Sequence, residues 1–128
     1  MTVEQCYEQM RADYASALRL MRSDERIIKF MRMMLKDESY ARLCHAIDMQ
    51  DHEAAFQAVH TLKGVTLNLS LNALAQTASK LTEELRENGW SKRVPELFAE
   101  VRAEYDIMQA AIQELLETAG GAADGKTK

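Results

Sequence analysis

FQAVHTLKGVTLNL, residues Phe56 to Leu69, carries apolar side chains at the spacing of a helix. At about 100° per residue, Ala58, Leu62, Val65 and Leu69, with Ala55 just upstream, share one side of the helical wheel. That side is small and aliphatic and suits a core. The same stretch holds a glycine, Gly64, which in a helix interior costs about 1 kcal/mol relative to alanine. The cost is accepted one turn after His60 and next to Lys63.

Working outward, Asp51 stands where an N-cap for this helix is expected, and the helix should run from His52 to about Leu69. Asn72 is the expected cap of the next one, which stacks Leu74, Ala78, Leu81 and Leu85. ENGWSKRVP then supplies a turn at Asn88-Gly89 and places Pro95 in the first turn of a final helix. Along that helix Val94, Leu97/Phe98, Val101, Tyr105, Met108, Ile112 and Leu115 recur with a near-seven-residue period. Upstream, Ile27, Phe30, Met31, Met34 and Leu35 form a stripe out of phase with Tyr40, Leu43, Cys44 and Ile47. A kink or new start within Lys36 to Ser39 absorbs the shift. Ser23 or Asp24 would cap that segment. Val3, Cys6/Tyr7, Met10, Tyr14, Ala17/Leu18 and Met21 repeat along one further helix, or along two if Asp13 caps the second.

The expected architecture is therefore all-α: an antiparallel four-helix bundle with an additional N-terminal helix or helices. Composition agrees. The 128 residues contain a single proline, five glycines and 47% hydrophobic residues, enough for one core and rich in helix formers. Residues 1–119 are expected to form the domain. GGAADGKTK, residues 120–128, is a polar, glycine-rich tail expected to be disordered.

Charge and targeting signals narrow the function classes. The net charge is −4, with 16 basic against 20 acidic residues and no basic stripe, so nucleic acid is not an expected partner. MTVEQCYEQM has neither the basic start nor the apolar run of a signal peptide. No apolar stretch approaches the roughly 20 residues that span a bilayer. A cytoplasmic protein with no membrane partner is expected, its Cys6 and Cys44 reduced thiols. FMRMML reads as core filling before it reads as an adaptable surface.

His60 falls opposite Leu62 and Leu69, on the solvent side. Within about 60° of it lie Glu53, Phe56, Gln57, Lys63, Gly64, Leu67 and Leu71. A face that ought to be polar thus holds Phe56, Leu67 and Leu71 around a histidine, which marks a docking surface with Phe56, Gln57, Leu67 and Leu71 as partner-binding residues. An imidazole in water is substantially neutral at cytoplasmic pH and can accept a phosphoryl group on a ring nitrogen. Lys63 can pair with the resulting charge. Gly64 leaves the approach to His60 open. The competing reading makes Gly64 a close-packing glycine and tucks Phe56 or Leu67 under the N-terminal segment. His45 and His52 are separated by a turn and read as surface or boundary residues, so no metal site with His60 is expected.

AVHTLKGVTLNLSLNALAQTASKLTEEL closely resembles the histidine-containing phosphotransfer (HPt) domain. Its motif is carried here by Ala58, His60, Leu62, Lys63, Gly64, Asn68 and Leu69, then Leu74, Leu81 and Leu85. The likeness extends over most of Asp13 to Leu116. It implies a four-helix bundle that relays phosphate between aspartates of receiver domains. His60 would be the phospho-accepting residue, Lys63 would stabilise the phosphoryl group, and Gly64 would keep the surface open. Response-regulator receiver domains, and a hybrid histidine kinase, are the implied partners. No cofactor would be bound by this chain, with Mg²⁺ expected on the partner receiver. With no nucleotide-binding motif in the chain, a phospho-carrier without kinase activity is expected. One departure stands out: the family usually carries glycine after the asparagine-leucine step, where this chain has Ser70, and this puts the end of that helix in question. A chain that begins at methionine and holds no second domain reads as a free-standing, monomeric relay protein. The alternative functions are a non-phosphorylated binding adaptor of the same fold and a helical protein that self-associates through Phe56 and Leu67.

Overall fold

A computed structural model describes the backbone of residues 1–127 and the side chains of residues 1–118. The described residues form helices joined by short connections, with no strand among them, in the order α1 (Val3–Gln9), α2 (Tyr14–Met21), α3 (Asp24–Lys36), α4 (Ser39–Asp48), α5 (His52–Asn68), α6 (Asn72–Asn88) and α7 (Val94–Thr127). Local chemistry starts most of them. Thr2 and Gln5 form a capping box at α1, and the side chains of Asp13, Ser23 and Asp51 accept from the backbone N–H three residues on in α2, α3 and α5. The N-terminal segment is thus two helices, with Asp13 as the cap that separates them.

The bundle is α4 to α7, each packed on the next. Its antiparallel register is visible in the side chains. The start of α5 meets the end of α6, where the His52 ring Nε2 lies 2.7 Å from the Leu85 carbonyl oxygen. A Lys80–Glu100 ion pair links α6 to α7, and Glu84 of α6 pairs with Arg93 just before α7, with the same opposed polarity. Tyr40 of α4 closes the ring by stacking face to face on Tyr105 of α7, with centroids 3.7 Å apart. The apolar stripes read from the sequence fill the interior: Leu74, Ala78, Leu81 and Leu85 from α6, and Val94, Leu97, Val101, Tyr105, Met108, Ile112 and Leu115 from α7, are all buried. Helices α1 and α3 lie against α7 and bring Val3, Cys6, Tyr7, Ile27, Met31 and Met34 into the same core.

Three details depart from expectation. Asn72 is the first residue of α6, and Leu71 occupies the cap position without a side-chain bond. Ser70, where glycine was expected, adopts the left-handed φ of 55° itself. The hydroxyl of Ser70 lies 3.0 Å from that of Ser16, and its carbonyl accepts from the Asp13 N–H at 3.1 Å. These tertiary bonds offset a conformation costing an L-residue roughly 1–2 kcal/mol. Finally, α7 continues to Thr127, into residues 120–128 for which the sequence predicts a disordered tail; the side chains from 119 onward and all of residue 128 lie outside the described residues.

Buried proton donors make the fold sensitive to alkali. Burial pushes the Cys6 thiol from its ordinary 9.0 up to about 11, with Glu114 adding to the shift. Burial likewise raises the Tyr7, Tyr40 and Tyr105 phenols above their ordinary 10.0. In each case the folded state holds its proton more tightly than the unfolded chain. Stability is therefore complete below the ordinary values and falls as pH rises above them. Urea unfolding followed from about pH 8 to about pH 11 should show a falling midpoint, steepest beyond about pH 10. A flat profile would mean these groups are not buried in solution.

Candidate functional site

Helix α5 is a core helix with one wet face. Ala55, Ala58, Val59, Leu62 and Thr66 are buried along one side, with Thr66 donating its hydroxyl to the Lys63 carbonyl at 2.7 Å. Val65 is only half-buried, so the buried stripe follows Val59 and Thr66 more closely than the wheel indicated. His60 lies opposite and is exposed, as are Gln57, Thr61, Gly64 and Leu67. Phe56 and Lys63 are half-buried. The Phe56 and His60 rings stack with centroids 5.9 Å apart and planes 28° from parallel. An apolar ring thus borders the imidazole on its N-terminal side and leaves it open to solvent.

Leu71 does not belong to this face. It is only 2% exposed and sits in the core, because the chain turns at Ser70 and the α5 wheel stops applying there. Leu67 remains outside, 50% exposed. It lines a shallow hollow of about 290 Å³ together with Lys63 of α5 and Asn72, Gln76 and Ser79 of α6. On the other side of α5, Gln57 and Thr61 border a larger groove of about 600 Å³ against Arg42 and His45 of α4 and Met49 just after it.

Gly64 decides between packing and access. A Cβ built there meets nothing within 4 Å, so no neighbouring helix requires the glycine. The close-packing alternative fails on that observation. Gly64→Ala should therefore raise the unfolding free energy by about 1 kcal/mol, read as a higher urea midpoint at unchanged slope. A destabilised variant would show that the residue is packed after all.

Nothing in the residues alone pointed to Arg86. Its guanidinium carbon lies 5.6 Å from the centroid of the Phe56 ring, and the same side chain pairs with Glu83. Asn72, Gln76, Ser79, Glu83 and Arg86 form a polar stripe legible on the α6 wheel, but the neighbour that stripe faces follows only from packing. His45 is exposed and His52 is taken up by the Leu85 carbonyl. Among the described residues no group of three or more His, Cys, Asp or Glu could hold a metal ion, and no helix is long and apolar enough to cross a membrane. What remains is an exposed histidine on α5, His60, flanked by an aromatic ring, a lysine and an open glycine. A family model described as "Hpt domain" matches residues 30–122. No curated protein and no solved structure matches the chain.

Proposed function

The chain belongs to the HPt domain family, and from that premise we propose that His60 is the phosphoryl carrier of a phosphorelay. It takes the group from the aspartyl phosphate of one receiver domain and passes it to an aspartate of another. Histidine phosphotransfer is the work of this family. The assignment to His60, with Lys63 and Gly64 as its helpers, rests chiefly on one observation: the exposed imidazole shares an open helix face with both, and the glycine has no packing role.

The chemistry follows from those groups. The lone pair of a neutral ring nitrogen attacks phosphorus in line. The N–P bond forms as the acyl P–O bond breaks and the aspartate leaves as carboxylate. The Lys63 ammonium offsets charge on the phosphoryl oxygens, and catalysis is mainly positioning and electrostatics. Mg²⁺ belongs with the acidic pocket of the receiver, where it would neutralise the same oxygens during transfer. Phe56, Gln57 and Leu67 would form the docking frame, apolar on both flanks of the nucleophile. This chain supplies a nucleophile and a surface, so it acts as a carrier and not as a kinase.

The test is direct transfer. Incubated with a receiver carrying aspartyl phosphate, the chain should gain label and return it to an unlabelled receiver. If no receiver of the source organism donates to it, the adaptor reading of the same fold takes its place.

A further inference from the structure

The imidazole of His60 leans back along its own helix. The Cα–Cβ bond of a helical residue tilts toward the N-terminus, so a side chain lies over the residue one turn before it. One turn before His60 stands Phe56, and the two rings stack with centroids 5.9 Å apart and planes 28° from parallel. Phe56 is itself anchored: it is half-buried, packs against the core and has the Arg86 guanidinium carbon 5.6 Å from its centroid. Hydrogen bonds near the imidazole go elsewhere. Thr61 donates to the Gln57 carbonyl and Thr66 to the Lys63 carbonyl, and among the described residues none reaches a ring nitrogen of His60. His52 on the same helix is the contrast, with its Nε2 taken up by the Leu85 carbonyl.

We propose that Phe56 is the positioning residue for His60: the face of its ring, in place of a hydrogen-bond partner, selects the rotamer in which the imidazole meets the donor. This rests on His60 being the carrier. A functional imidazole is commonly oriented through its second nitrogen, which occupies that nitrogen. A stacked ring orients the imidazole without touching either one. The lone pair that attacks phosphorus lies in the imidazole plane, at the ring edge, so a neighbour on the face does not obstruct an in-line approach. The proton on the other nitrogen stays free to leave for solvent once the N–P bond has formed. Without the stack, an exposed imidazole divides its time between two χ1 wells and a broad range of χ2. A receiver docked on α5 presents phosphorus at one place, so only one of those arrangements is productive. A small donor in solution reaches all of them.

Two donors separate positioning from docking: a phosphorylated receiver that loads the parent chain, and phosphoramidate. With phosphoramidate the His60 nitrogen forms the N–P bond as the donor P–N bond breaks, and the ammonia that leaves takes up the ring proton through solvent. Phe56→Leu keeps an apolar side chain on the docking face and removes the ring. In single-turnover transfer from the receiver, its rate at saturation should fall about threefold, the dilution of one arrangement among the others. The half-saturating receiver concentration should not change, and phosphoramidate should label the variant at the parent rate. Phe56→Tyr should restore the saturating rate. Three-bond NMR couplings about χ1 of His60, read on the full chain without any donor, should show one dominant rotamer in the parent and in Phe56→Tyr, and averaged values in Phe56→Leu. A loss confined to the half-saturating concentration makes Phe56 a docking contact only and overturns the proposal. Averaged couplings in the parent also overturn it, and leave His60 as the carrier. Failure of the parent to label from any receiver and from phosphoramidate, or labelling that survives His60→Gln, overturns the carrier reading itself.

Discussion

His60→Gln should abolish phosphoryl transfer to the chain while leaving its fold unchanged. Glutamine keeps polarity and hydrogen-bonding capacity but has no lone pair able to form a stable bond to phosphorus. The loss should therefore be complete, not graded. The folding cost should be small because His60 is exposed and its one described aromatic neighbour is Phe56. Loss of that stack is worth about 0.5–1.5 kcal/mol at most. The measurement is labelling from a phosphorylated receiver, with the product checked for the acid lability and base stability of a phosphohistidine. Label that persists on the glutamine variant would move the site to one of the other two histidines of the three in the chain, His45 or His52.

The second large effect lies far from His60 in sequence. Tyr7 of α1 is fully buried, donates its hydroxyl to the Leu69 carbonyl at 2.8 Å, and packs edge-on against Tyr14 with centroids 5.8 Å apart. It ties the first helix to the last turn of the helix that carries His60. Tyr7→Ala should cost about 3–5 kcal/mol, a large part of the 5–15 kcal/mol that holds a domain of this size together. Tyr7→Phe keeps the ring and orphans only the Leu69 carbonyl, at about 1–3 kcal/mol. Urea unfolding of both variants separates ring from hydroxyl. A cost below about 1 kcal/mol for the alanine variant would mean that α1 is detached in solution. The residue also falls outside positions 30–122, so the family's own segment does not account for this anchor.

The Ser70 departure illustrates how local and tertiary signals trade. A left-handed residue was needed after Leu69, and serine is a poor choice for it on its own. Its hydroxyl and carbonyl find Ser16 and Asp13, both in or beside α2. The N-terminal helices thus supply at this turn what glycine would supply by itself, and like Tyr7 they secure the end of α5. Arg11 and Glu104 add a surface ion pair between the same N-terminal segment and α7.

The helices, their buried stripes and the solvent side of His60 were legible in the residues alone. Periodicity is a local property of the backbone, and a run of fifteen or so residues is enough to show which side is apolar. Asp13, Ser23 and Asp51 could be recognised as caps for the same reason, since a cap acts within one turn. The wheel misled at Leu71, because it assumes a helix that Ser70 has already ended. Arg86 beside Phe56, Tyr7 under Leu69 and Tyr40 on Tyr105 were invisible: each joins residues at least thirty positions apart. Such contacts depend on which stripes interlock and in what register. Only simultaneous packing of all the helices fixes that choice, because the energy of each pair depends on the space the others leave.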